Sequence, residues 1–155
     1  MIRFILNGKE VVSKASENTR LLDVLRQEFE ITGVKCGCKE GECGACSVIL
    51  DGELVNSCMV AVGSIQGSTV MTIEGYRGTE RFAVLDKSYA QVSAVQCGFC
   101  TPGMVLASEC ILEKNPDPSE EEIRAGISGN LCRCTGYNAI VEAIGIAAKE
   151  GKGLW

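Results

Sequence analysis

Gly37-Cys38-Lys39-Glu40-Gly41-Glu42-Cys43-Gly44-Ala45-Cys46 is the stretch that decides how this chain folds, together with Cys58 further on. The cysteines run C-x4-C-x2-C-x11-C, the ligand order of a [2Fe–2S] loop. Two irons bridged by two sulfides need four thiolates converging on one small volume. A loop that supplies three of them must wrap tightly and turn its amides inward. Gly37, Gly41 and Gly44 suit this, because glycine reaches the positive-φ conformations that aim successive N–H groups at one point. A thiolate-bound cluster is anionic, so inward amides stabilise it. From this stretch alone, a zinc site or disulfides stand as the alternatives.

Composition narrows the field. The chain has 155 residues, enough for one domain or two small ones that need metals or a partner. A net charge of −5 leaves no basic stripe to meet phosphates, which argues against nucleic acid. The acidic run Glu120-Glu121-Glu122 reads as a solvated first helical turn. Ten cysteines are more than packing needs. The stretch Met1–Asn7 lacks the apolar core of a signal peptide, and no run of about 18 apolar residues is available to span a membrane. The expectation is therefore a cytoplasmic protein whose cysteines bind metal. Histidine is absent, which removes Rieske centres, Cys/His zinc fingers and every mechanism needing an imidazole base.

Around the cysteine loop the first half reads as a small sheet on one helix. Ile2–Leu6 and Glu10–Ser13 form strands joined at Asn7-Gly8, a type I′ hairpin signal. Thr19–Phe29 is helical, with Leu21, Leu25 and Phe29 on one face. Ser47–Leu50 and Glu53–Val55 flank an Asp51-Gly52 turn, and Thr69–Ile73 is a last strand rich in β-branched residues. This order is compatible with the β-grasp arrangement of plant-type ferredoxins, with a boundary near Glu74–Gly78. The second half reads as helices: Phe82–Tyr89; one from Thr101 to Lys114 with Thr101 as N-cap and Pro102 first in the helix; one opened by the Ser119–Glu122 capping box; and Asn138–Lys149. The fold class expected is α+β, with domains at 1–75 and 76–155. Trp155 reads as either frayed or docked on a partner, with docking the preferred expectation.

A second set of thiols lies in the helical half. Cys97-Gly98-Phe99-Cys100 and Cys132-Arg133-Cys134 can approach from opposite sides and close another four-sulfur cage. Each precedes a helix, so two helix N-termini would face one anionic centre. That favours the reduced state and raises its potential. Tetrahedral zinc with four thiolates is the competing reading of this spacing.

The strings Gly37-Cys38-x4-Cys43-Gly44-Ala45-Cys46, Gln96-Cys97-Gly98-Phe99-Cys100-Thr101-Pro102-Gly103 and Gly129-Asn130-Leu131-Cys132-Arg133-Cys134-Thr135-Gly136-Tyr137 resemble, in order and over nearly the whole chain, the iron–sulfur subunit of the xanthine dehydrogenase (molybdenum hydroxylase) family. The resemblance implies a β-grasp plant-type ferredoxin domain with one [2Fe–2S] cluster, then an all-α four-helix domain with another. It implies Cys38, Cys43, Cys46 and Cys58 as ligands of the cluster on the flavin side. It implies Cys97, Cys100, Cys132 and Cys134 as ligands beside the molybdenum cofactor, with Gln96 contacting the pterin through its amide. It further implies a molybdopterin-binding large subunit and an FAD-binding medium subunit. The chain's role would be to relay single electrons from the molybdopterin to FAD.

Some residues stand outside that pattern. Cys36, where the family usually has a larger non-thiol residue, reads as a spare thiol, since the x4 spacing fits Cys38 better. Cys110 reads as a small buried hydrophobe, and Met59 and Met104 as core or interface filler. Arg133 sits between two ligands and would soften the cluster's charge or meet a partner. Phe99 and Tyr137 would shield the cluster or simply pack. Two other functions fit parts of the sequence: a free-standing two-cluster ferredoxin, favoured by the acidic surface, and a zinc-stapled interaction module.

Overall fold

The computed structural model describes residues 1–155. The Asn7-Gly8 turn takes left-handed values at both residues (φ 51 and 80), as a type I′ hairpin requires. It joins β1 (Ile2–Leu6) to β2 (Lys9–Ser13) in antiparallel register, with Leu6 opposite Lys9. The Asp51-Gly52 turn (φ 49 and 88) does the same for β3 (Ser47–Leu50) and β4 (Glu53–Asn56). The short β5 (Thr69–Met71) lies between the hairpins, parallel to β1 and antiparallel to β3, giving the sheet order β2-β1-β5-β3-β4. Helix α1 (Leu21–Gln27) lays Leu21, Leu22, Val24 and Leu25 on this sheet against Phe4, Val48 and Val70. This is the β-grasp arrangement.

The fifth strand is shorter than its β-branched residues suggest. Thr72 leaves the ladder: its N–H donates to Asn7 Oδ1 (2.8 Å) and its hydroxyl to Glu74. The chain then makes a single helical turn, α2 (Ile73–Tyr76), whose Ile73 and Tyr76 join the core of the second half.

Four longer helices follow: α3 (Glu80–Gln91), α4 (Thr101–Lys114), α5 (Glu120–Gly126) and α6 (Asn138–Glu150). The capping box at Ser119 and Glu122 is formed reciprocally. At α4 the cap is displaced by one residue from the sequence expectation. Cys100 is the N-cap, and Thr101 is already helical with Pro102 in the first turn. Leu85, Met104, Leu106, Leu112, Ile140 and Ile144 fill the core of this bundle. Ile49, Leu54 and Met71 of the sheet pack against the same core, so α4 lies on the sheet and joins the halves by apolar contact.

The C-terminus docks on the chain itself rather than waiting for a partner. Trp155 donates its indole N–H to Glu109 (2.7 Å), and the Arg81 guanidinium lies over its ring at 5.7 Å. Arg81 also donates to Leu154 O and to Glu109, whose carboxylate accepts from Tyr76 as well. Burial and this carboxylate push the Tyr76 hydroxyl far above its ordinary pKa. No helix is long and apolar enough to cross a membrane.

Candidate metal centres

The loop between α1 and β3 is held from three sides. Arg26 donates to Val34 O (2.7 Å) and Thr32 O at its start. Asn56 Nδ2 donates to Gly41 O (2.9 Å) in the middle. Ser57 donates both its hydroxyl and its N–H to Cys46 O at the end. Cys58 lies in a short 3₁₀ turn after β4, where it and Cys46 are buried against the β-grasp core. Three loop amides point at one sulfur: the N–H groups of Glu40, Cys43 and Glu42 donate to Cys38 Sγ and bring its thiol down to about 7. Amides turned inward on sulfur are what an anionic centre requires.

The glycines serve this loop in two ways. Gly41 and Gly44 take positive φ (77 and 68). Gly37 does not, contrary to the sequence expectation. Its reason is space, since a Cβ there would lie 2.7 Å from Cys43 Sγ. The tight left-handed residue near the start is instead Lys39 (φ 60).

The thiols come in contacting pairs. Cys38 meets Cys43, and Cys46 meets Cys58. In the helical half Cys100 meets Cys132, and Cys97 meets Cys134. The two helical pairs are also within electrostatic reach of each other, through Cys97 with Cys100 and Cys132 with Cys134. A [2Fe–2S] rhomb takes two thiolates on each iron, whereas tetrahedral zinc gathers four on one point. The donor chemistry and the pairing therefore fit two-iron clusters.

Within each set one thiol is easily ionised and another is not. Burial pushes Cys46 up to about 11 and Cys100 up to about 12. Burial acts on Cys132 as well, but the Thr135 hydroxyl (3.1 Å from Sγ) and the amides of Thr135 and Cys134 overcome it and hold Cys132 near 7. Tyr137 fixes the same turn: its hydroxyl accepts from Cys132 N–H (3.0 Å), and its own N–H donates to Thr135. Tyr137 is thus a local strut more than a shield. Cys100 caps the positive end of α4.

The second set reaches the surface. Cys97, Cys134, Gln96 and Arg133 are exposed, and Val95, Phe99 and Leu131 are exposed apolar side chains beside them. Cys36 is exposed and outside the pairs; Cys110 is buried in α4, and burial pushes its thiol up to about 11. Met104 is core, whereas Met59 is 65% exposed and lies over Gly41. The two sets are linked directly: Leu131 N–H donates to Cys43 O (2.9 Å), so ligand candidates from both halves are one hydrogen bond apart. Sequence reasoning missed Asn56, Ser57 and Thr135 as loop fasteners. A hydroxyl or amide close in sequence to a ligand was the available signal.

Two family models match the chain: a 2Fe-2S iron-sulfur cluster binding domain over residues 4–68 and a [2Fe-2S] binding domain over residues 72–145. The nicotinate dehydrogenase small FeS subunit of Eubacterium barkeri is 47% identical over 96% of this chain and 95% of its own length. A probable xanthine dehydrogenase subunit from Bacillus subtilis is 40% identical over 91% of this chain and 81% of its own. In the crystal structure of quinoline 2-oxidoreductase from Pseudomonas putida 86, one chain superposes with a TM-score of 0.89 at 40% identity. The match covers 97% of this chain and 96% of that one.

Proposed function

As this chain belongs to the [2Fe–2S] iron–sulfur subunits of the molybdenum hydroxylase (xanthine dehydrogenase) family, we propose that its eight paired cysteines form a two-station electron wire inside a larger enzyme. The chain is an electron-transfer subunit of an oxidoreductase with two [2Fe–2S]-binding domains. Cys38, Cys43, Cys46 and Cys58 would hold one cluster, and Cys97, Cys100, Cys132 and Cys134 the other. Such clusters would supply one-electron redox chemistry when bound, and this chain's part would be to hold the helical-domain cluster on the molybdopterin side and the β-grasp cluster on the FAD side. The domains divide at 75 and 76, and the enzyme is cytoplasmic.

The chain's own residues supply position and electrostatics. Amides of Glu40, Cys43 and Glu42 offset thiolate charge at the first site, and Thr135 with the start of α4 does so at the second. Cys46 and Cys58 form the buried side of the first site, whereas Cys38 and Cys43 lie half-buried on its outer side. With no histidine in the chain, no imidazole is available here for acid–base work on a substrate. The observation that carries the reading is the exposed, contacting Cys97–Cys134 pair, with exposed Gln96, Val95, Phe99 and Leu131 close to the two cysteine motifs in sequence. A surface of this kind suits an electron donor seated against it, and the exposed Gln96 amide offers the donors and acceptors that a pterin edge would take.

Partners are a molybdopterin-binding large subunit and an FAD-binding medium subunit. Affinity purification of the tagged chain from its native host tests this. The expected result is co-elution of two larger polypeptides with molybdenum and flavin. Recovery of a lone, cluster-loaded chain that carries electrons between separate enzymes would establish the ferredoxin alternative instead.

A further inference from the structure

Asn130 is the buried polar side chain that joins the two ligand loops. It is 4% exposed and sits two residues before Cys132. Its amide nitrogen donates one hydrogen to Gly44 O and the other to Ser47 Oγ, each at 3.1 Å, across 86 and 83 residues of sequence. Both donors of the amide are used. Gly44 lies between Cys43 and Cys46, and its carbonyl also accepts the Ser47 hydroxyl (2.7 Å) and N–H. The fit leaves no slack. A Cβ on Gly44 would lie 2.4 Å from Gly129 O, and one on Gly103, at the start of α4, would lie 2.6 Å from Gly44 O. Three segments that carry Cys43, Cys132 and Cys100 therefore meet at one amide.

We propose that Asn130 is a positioning residue for electron transfer between the two clusters, setting their separation and relative orientation through the Gly44–Ser47 carbonyl and hydroxyl. The proposal rests on the two-cluster reading above. The halves are already held together by the apolar contact of α4 with Ile49 and Leu54, so the polar junction is not needed merely to join them. Fully satisfied buried polar contacts specify one arrangement of the groups they link. Here the linked groups are the ligand loops. Leu131 N–H to Cys43 O, the shortest bonded connection between the sets, runs beside the same amide.

The test uses the full chain loaded with both clusters, as wild type, N130A, N130D and the distant control N115A. N130D keeps the shape but puts an acceptor against Gly44 O. Iron and labile sulfide are measured first, and wild-type protein lacking either would overturn the two-cluster reading, not this one. The electron paramagnetic resonance spectrum of the fully reduced protein then reports magnetic coupling between the clusters. The expected result is loss of the wild-type coupling pattern in N130A and N130D with both individual signals retained. N115A should match wild type. Hydrogen exchange at Leu131 N–H should accelerate in the same two variants. Wild-type coupling in both, at full cluster content, would overturn the proposal. If N130A sheds a cluster, S47A carries the test by removing one of the amide's two acceptors together with the hydroxyl's own bond to Gly44 O, while Asn130 keeps Gly44 O. A partial change in coupling supports the proposal and an unchanged pattern refutes it.

Discussion

Gly44→Ala measures how closely the two halves meet at the metal loops. Two costs arise. Gly44 has φ 68, and placing an L-residue in that region costs roughly 1–2 kcal/mol. The new Cβ would also lie 2.4 Å from Gly129 O and 2.6 Å from Asn130 Nδ2, and overpacking of this kind costs about 1–3 kcal/mol. The sum is about 2–5 kcal/mol, or roughly 10 °C in midpoint for a chain of this length. Gly8→Ala is the comparator, because Gly8 has φ 80 with nothing near its missing Cβ. It carries the strain without the crowding and should cost roughly 1–2 kcal/mol. Gly103→Ala carries crowding without left-handed strain, and gains up to about 1 kcal/mol of helix propensity in return. Unfolding of the cluster-loaded proteins is followed by circular dichroism and visible absorption at one scan rate, since cluster loss makes the transition irreversible. Gly44→Ala should be the most destabilised of the three and should lose its visible absorption earliest. A Gly44→Ala protein no weaker than Gly8→Ala would refute the close junction.

Other outcomes follow from the same contacts. Cys43→Ser should disturb one paramagnetic signal of the reduced protein and Cys132→Ser the other, whereas loss of both signals from either change in a folded protein would refute the two-quartet division. Glu109→Ala removes the acceptor shared by Tyr76, Trp155 and Arg81; breaking such a buried pair costs about 3–5 kcal/mol. Because Arg81 is 31% exposed and keeps Glu113, about 2–3 kcal/mol is expected, or roughly 4–12 °C in melting midpoint. Trp155→Phe should cost only about 1 kcal/mol, and a larger loss there than in Glu109→Ala would contradict the hub at Glu109. Alkylation of the cluster-loaded chain at pH 8, read by peptide mass, should label Cys36, which is exposed, and spare Cys110, whose thiol is buried and pushed up to about 11.

The parts legible in sequence are those written in local chemistry. Asn7-Gly8 and Asp51-Gly52 announce their hairpins because few other dipeptides take two consecutive left-handed values. Ser119 and Glu122 announce α5 through a reciprocal bond across three residues. What stays hidden is set by partners distant in sequence. The β-branched run after Thr69 reads as strand through Ile73, yet Asn7, 65 residues away, takes Thr72 out of the ladder. Trp155 reads as a residue for a partner to cover, but its acceptor Glu109 and its cation Arg81 lie in the same chain. Gly37 looks like a positive-φ residue when its role is to leave room for Cys43 Sγ. At the candidate site, spacing points to eight cysteines but not to Asn130, whose partners are 83 and 86 residues away.

This one chain is expected to carry two two-iron centres. Iron, zinc and acid-labile sulfide determined together on the purified full-length protein test it most directly. About four irons and as many sulfides per chain, with no zinc, are predicted. Stoichiometric zinc without sulfide, or fewer than about three irons in an intact sample, would contradict it.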